Sequence, residues 1–403
     1  MEKTLSIIVA TTLMDVAKKY GTPCFAYDKS ILVKNFDMYA NTFKEKEKKN
    51  AKKMDHLICY AMKANSNLSI LNELNKRGSG FDIVSGGEME RLEKIGVDPK
   101  RIVFSGVGKT IEEMKKGVKV GILCFNVESM EELQVLNEIS RSMSKVTNIS
   151  IRVNPNIDAK SHPYISTGLH SNKFGIPLTE AEFLAQKCID CSVSNMQQKQ
   201  KREIIFDSLK MIGISFHIGS QMMSCDPVIA SIHSLQTLFR LFLQNGYRFL
   251  QHFDIGGVIH TYMYTYMLYF IVCLNKNITI AKKKKKKKKK EISESSEKRI
   301  KTYVNEAWKA CELLSNDFHI NKIICAPGRS IVAESGVLLM SVQFTKKTSL
   351  RNFVVVDASM SELLRPSLYQ SKHIIVNLSR RHDGDFLAKD IVMPQSTQRG
   401  DIL

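Results

Sequence analysis

Several short apolar runs of this chain end on a residue that could do chemistry. Lys63 follows one run in YAMKANSN, His217 ends another before IGSQ, Gly256 and Gly257 close FDIGG, and Gly328 and Arg329 sit in PGRS. A lysine held where water is scarce loses its proton more easily, and the free amine can form a Schiff base with a carbonyl compound. Paired glycines leave backbone N–H groups open for a phosphate, or simply make a tight turn. His217 could stack on an aromatic cofactor ring or be a core histidine. Arg329 could clamp a carboxylate through two parallel hydrogen bonds or cap a strand end. One further motif misleads: SGVGKT ends like a nucleotide-phosphate loop, but that loop requires glycine where Val103 stands. Nucleotide hydrolysis is rejected on that ground.

Such residues need a scaffold that gathers strand ends. Eight strand candidates run over 56–63, 80–85, 101–106, 122–127, 148–155, 211–217, 249–256 and 320–327. Each is rich in Val, Ile and Phe with little alternation, as expected of strands covered on both faces. Between them lie amphipathic segments such as SILNELNKRG, GEMERLEKIG and SMEELQVLNEI, several ending in glycine as helices do. Eight strands alternating with helices predict a (β/α)8 TIM barrel, whose site lies at the C-terminal ends of the strands. Lys63, Ser85, Asn126, Asn154, His217, Gly256 with Gly257, and Gly328 with Arg329 all fall at those ends. After residue 330, GVLLMSVQFTKKT and NFVVVDAS are strand-like with no helix between them, which predicts a second, β-rich domain. PCFAYD, near the start, can add a strand to it.

Composition narrows the class. The chain has 403 residues, 43% of them hydrophobic, enough for a large core, so a wholly disordered chain is excluded. The formal net charge of +19 would ordinarily point to nucleic acid or an acidic membrane surface. However, nine of the 59 Lys and Arg residues form one run, Lys282 to Lys290, and setting it aside leaves 50 basic residues against 40 acidic ones, or +10. Neither a nucleic-acid nor a membrane partner is therefore expected. Nine scattered cysteines, an odd number, read as reduced thiols of a cytoplasmic protein rather than a disulfide framework. Cys188 and Cys191 form a CxxC without a second pair, which reads as a helix face, and no metal site is expected. The first residues lack the charge pattern and cleavage site of a secretory signal.

Taken in order, YAMKANSN, GSGFDIVSGGE, RIVFSGVGKT, CFNVES, RVNPN, HPYISTGLHSNKFGI, FHIGSQ, FDIGG, PGRSIVA, VDASMSELLRPSLY and GDFLAKD resemble the diaminopimelate decarboxylases. The resemblance runs from about residue 19 to residue 403, interrupted after Gly257. Ornithine and arginine decarboxylases share the fold, but HPYISTG and FDIVSGGE point to the diaminopimelate branch.

The resemblance implies an alanine-racemase-type barrel with a β domain, active as a homodimer with shared sites. It also implies pyridoxal 5'-phosphate as cofactor, meso-diaminopimelate as substrate, and L-lysine and carbon dioxide as products. Lys63 would bind the cofactor covalently and His217 would stack on its ring. Ser220, Gly256, Gly257, Gly328 and Arg329 would hold its phosphate, and Arg329, Arg365 and Tyr369 the substrate carboxylates. The expected domains are residues 1–32 as a strand joining the β domain, 33–329 as the barrel and 330–403 as a partial β domain, the chain stopping before the family's final strands.

Some positions depart from the family. Ala326 stands where its carboxylate pairs with the cofactor's ring nitrogen, and Arg381 and His382 stand where it has cysteine and glutamate. Val258 replaces a third glycine. These departures imply a weakened site, with a catalytically impaired cofactor-binding barrel as the alternative function. The insert 258–290 fits no element, and its apolar core from Met263 to Leu274 is too short to span a bilayer. It reads as retained intron or gene-model sequence, since a valine codon begins GT and a lysine codon can end AG.

Overall fold

The structure is a computed structural model. It describes residues 7–49, 54–158, 172–193, 206–219, 222, 224–247, 249–257, 269–273, 296–318, 320–350, 352–369, 371, 373 and 375–378. The chain divides into two compact units, one of Met1–Leu32, Thr261–Ser295 and Ile331–Leu403, the other of Val33–His260 and Ser296–Ser330.

Helix α1 (Ile7–Tyr20) and strand β1 (Cys24–Tyr27) open the first unit, and helix α2 (Lys29–Lys49) leads into the second. There follow β2 (Asp55–Ala61), β3 (Gly80–Ile83), β4 (Ile102–Phe104), β5 (Cys124–Val127), β6 (Thr147–Asn154), the two-residue β7 (Ile176–Pro177), β8 (Leu209–Phe216) and β9 (His252–Asp254). Strand β10 (Tyr269–Cys273) belongs to the first unit, and β11 (Lys322–Cys325) completes the second. Strands β2, β3, β4, β5, β6, β8, β9 and β11 pair in parallel, and β5–β6 and β11–β2 pairings close the ring. The predicted barrel is present, most of its strands shorter than the apolar runs that announced them, with β6 and β8 the exceptions. Their interiors are fully covered: Phe81, Phe104, Phe125, Ile151, Ile214 and Phe253 show no exposed surface. Each such side chain contributes roughly 1.5–3 kcal/mol through burial.

The helices between the strands begin on side-chain caps that the sequence supplies. Ser85 caps α4 (Gly86–Lys94), Thr110 caps α5 (Ile111–Val120), and Ser129 caps α6 (Met130–Ser142), each accepting from the backbone N–H three residues on. At α5 the Glu113 carboxylate also returns to the Thr110 N–H, a reciprocal box. These caps place the start of each helix immediately above a strand end. Cys188 and Cys191 both lie in a helix, α7 (Leu178–Val193), with Cys188 buried.

In the first unit, β12 (Gly336–Lys347) pairs antiparallel with β1 and with β13 (Asn352–Val356). Its pleat sends Val337 and Leu339 towards Leu13, Val16 and Ala17 of α1, and Leu338, Met340 and Val342 to the opposite face against Ala358 and Leu363. The insert differs from expectation here. Tyr269–Cys273 pairs in parallel with β12 and with β14 (Ile375–Asn377), because YFIVC is an uninterrupted aromatic and β-branched run that a sheet accepts. The remainder of 258–290 lies outside the described residues. Among the described residues, no helix is long and apolar enough to cross a membrane.

Candidate active site

Parallel strands bring their C-terminal ends to one rim of the barrel, and most of the predicted site residues stand there. Lys63 lies in a single 3-10 turn (Met62–Ala64) directly after β2. Its side chain is 53% exposed, so burial does not strip water from the amine as the sequence reading expected. A carboxylate faces it instead: Nζ lies 3.7 Å from Oδ2 of Asp82 on β3. Gly328 packs under the same turn, where a Cβ would come within 3.0 Å of the Ala61 carbonyl oxygen and of Ala64 Cβ. Arg329 follows, at the start of the short helix α11 (Arg329–Val332).

His217 immediately follows β8, and its Nδ1 accepts the Gly257 N–H at 3.3 Å. Burial holds its pKa well below the usual histidine value, with the Lys63 and Arg152 charges adding to the effect. A neutral ring that accepts at Nδ1 carries its proton on Nε2. Gly256 adopts φ +67°, and a Cβ on Gly257 would lie 1.8 Å from the Ala326 carbonyl oxygen, so glycine is required at this turn. The expectation of free amides is corrected: the Gly256 N–H donates to Asp254 Oδ1 at 2.9 Å and the Gly257 N–H to His217. A turn this tight folds back on the nearest acceptors. Ala326 is buried, and its N–H donates to the Gly256 carbonyl.

Arg365 and Tyr369 begin and end the helix α12 (Arg365–Tyr369) in the first unit. Ser220, Val258, Arg381 and His382 lie outside the described residues.

Two acids at the heart of the rim escaped the sequence reading. Asp82 and Asp254 are 6% and 4% exposed and sit within the strands GFDI and HFD. An acid inside a strand that is apolar on both faces was the available signal, since such a charge is costly unless it serves something. Asp254 is pushed up to about 7, first by burial and then by the Asp82 charge. Glu128, in NVES, is a third. Its carboxylate accepts from Arg152 Nη1 at 2.7 Å, the Gly106 N–H at 3.0 Å and the Gly175 N–H at 2.8 Å, tying three strand exits together.

The SGVGKT motif is structural. Lys109 Nζ is buried and donates to Gly106 O, Asn126 O and Glu132 Oε1 at 2.6–2.7 Å, which uses all three of its protons.

A barrel with a lysine at the first strand exit and a glycine turn two strands away defines a class, and comparison with known proteins gives it a name. Residues 40–267 match the family described as pyridoxal-dependent decarboxylase, pyridoxal binding domain. The chain belongs to this family. It is 35% identical over 392 residues to the diaminopimelate decarboxylase of Pseudomonas aeruginosa, covering 94% of this chain and 80% of that protein. It is 38% identical over 361 residues to that of Helicobacter pylori strain J99, covering 90% and 75%. Among solved structures, the Helicobacter pylori diaminopimelate decarboxylase complexed with L-lysine superposes with a TM-score of 0.70 at 35% identity, covering 93% of this chain and 83% of that one. The M. jannaschii diaminopimelate decarboxylase in co-complex with L-lysine gives 0.73 at 27% identity, covering 94% and 80%. Within the pyridoxal-dependent decarboxylases, the chain belongs to the diaminopimelate decarboxylase family.

Proposed function

We propose that this chain removes the carboxylate next to one amino group of meso-diaminopimelate, giving L-lysine and carbon dioxide as the last step of lysine synthesis. The observation that carries the reading is Lys63 on the rim after β2, its amine facing Asp82, with the glycine turn of Gly256 and Gly257 two strands away after β9. The residues suit pyridoxal 5'-phosphate. A reachable amine is present, and where Gly256, Gly257 and Gly328 lie, a Cβ would collide with neighbouring backbone. Once bound, the cofactor withdraws electrons from the substrate carbon that loses its carboxylate.

The chain's own residues do the rest. Lys63 holds the cofactor, and Asp82 steadies the amine as a counter-charge. His217, neutral and oriented by the Gly257 N–H, presents a flat ring for stacking. Ser220, Gly256, Gly257, Gly328 and Arg329 would hold the cofactor's phosphate. By the family resemblance, Arg329, Arg365 and Tyr369 would bind the substrate carboxylates.

The same reading includes a homodimer with shared sites, so a monomeric fraction should be inactive, and a cytoplasmic location. The buried thiols of Cys59, Cys124, Cys311 and Cys325 support the latter.

The test is the absorbance spectrum of the full chain with pyridoxal phosphate, followed by assay of carbon dioxide and lysine from meso-diaminopimelate. A shifted cofactor band and both products are expected. A band without products would leave only an impaired cofactor-binding barrel, and no band would overturn the reading.

A further inference from the structure

Beneath Lys63 the barrel interior carries a continuous polar chain of which the proposed function uses only the Asp82 end. Asp82 Oδ1 accepts from Ser105 Oγ at 2.5 Å. Ser105 in turn accepts from Asn126 Nδ2 at 3.0 Å, and the same nitrogen lies 3.3 Å from Asp254 Oδ2. Asp254 Oδ1 then holds the Gly256 N–H. One residue comes from β3, one from the exit of β4, one from β5 and one from β9, and all four side chains are buried.

The direction of these bonds is fixed. Ser105 has one proton and gives it to Asp82, so it must accept from Asn126, and the amide nitrogen faces inward. Asn126 cannot flip without breaking both of its bonds. Among the described residues its buried Oδ1 has no hydrogen-bond partner, a cost borne to keep the nitrogen where it is. A structural asparagine with free choice would turn its oxygen towards a donor.

We propose that Ser105 and Asn126 are positioning residues that join Asp82, and through it Lys63, to Asp254 at the glycine turn, so that the charge on Asp254 governs how tightly the Lys63 amine holds its proton. The proposal rests on the functional reading only in taking Lys63 as the reactive amine. Asp254 titrates close to neutrality, and once it ionises two carboxylates share one buried chain. The cation at its end is then held more firmly. Several other groups bear on the pair. Asp254 is influenced by Arg152 of β6, Cys59 of β2, Cys124 of β5 and Cys325 of β11, and Asp82 by Glu88 of α4 as well as Lys63. The cysteines that face the acids are neutral, because burial and those acids push their thiols up. Arg152 is neutralised by Glu128.

The test uses the full chain without added cofactor. Reductive methylation of Lys63 is followed across neutral pH by mass spectrometry of its peptide, with thermal unfolding of each variant as a folding check. The wild-type profile should show a second inflection near Asp254's titration. Asp254→Asn should remove it and speed methylation above neutrality about threefold, the equivalent of about half a pKa unit. Ser105→Ala and Asn126→Ala should remove the inflection with Asp254 still present, and Ser105→Thr should keep it. If Asn126→Ala does not fold, Ser105→Ala decides alone, since it deletes one oxygen. A wild-type profile with a single titration, or an inflection that survives Ser105→Ala, overturns the proposal. Failure of the functional reading looks different: the cofactor spectrum stays unchanged while the methylation profile keeps its two steps.

Discussion

The two ends of the barrel are built from the same strands with opposite chemistry. At the floor, Cys59, Val103, Cys124, Ile212 and Ile324 form a closed apolar cluster. His252 joins it as a neutral ring, its pKa pulled down to about 3 by burial and Lys322, with Nε2 3.9 Å from Cys124 Sγ. At the rim, the residues at or just beyond the other ends of β2, β3, β4, β5 and β9 are Lys63, Asp82, Ser105, Asn126 and Asp254. The floor spends its residues on packing. The rim accepts three buried acids, Asp82, Glu128 and Asp254, and an amide oxygen without a partner among the described residues, which is tolerable only where burial elsewhere supplies the stability.

If this division holds, changes at the rim should cost function and changes at the floor should cost folding. Lys63→Ala is expected to have the largest effect, lowering carbon dioxide release at least about a thousandfold. Calorimetry should show little change in its unfolding temperature, because the side chain is half exposed.

Glu128→Ala tests where the division breaks, since this rim residue acts as a scaffold. It leaves the Arg152 guanidinium buried and unpaired and frees the Gly106 and Gly175 amides, so denaturant unfolding should show a loss of about 3–5 kcal/mol. Gly213→Ala belongs to the floor. Its Cβ would lie 2.1 Å from His252 Nε2, and the cost should be about 1–3 kcal/mol, with the activity of the folded fraction unchanged.

The smallest effect is on pH dependence. Asp254 binds its proton more tightly folded than unfolded, so its contribution is fully present in acid and is lost as pH rises through about 7. His252 binds its proton less tightly folded, so its contribution is present above the ordinary histidine range and is lost as pH falls towards about 3. Stability should therefore peak in mild acid. Thermal unfolding of Asp254→Asn should keep the acid limb and lose the decline on the neutral side, a difference of at most a few kcal/mol.

The same contrast explains what the sequence reveals. All eight barrel strands are legible, because each is a Val-, Ile- and Phe-rich run and Ser85, Thr110 and Ser129 mark the helix starts. Lys63, His217 and the glycine pair are legible too, since each ends such a run. Asp82 and Asp254 are hidden inside the runs, where an unalternating pattern gives no clue to which side chains face the barrel interior. Pairings between distant strands are equally silent. Nothing local shows that Asn126 reaches Asp254, or that Gly257 spends its N–H on His217. Helix α1 and strand β10 were missed because an isolated short apolar run does not declare its partner. Sequencing the mature transcript across 258–290 tests the retained-intron reading, which a continuous frame through the lysine run would end.

The central claim is that Lys63 carries the cofactor. Reductive trapping of the full chain with pyridoxal phosphate and borohydride, followed by peptide mapping, tests it directly. One label is expected, on the peptide containing Lys63, and none in Lys63→Ala. A label spread over other lysines such as the Lys282–Lys290 run, or no label, would contradict it.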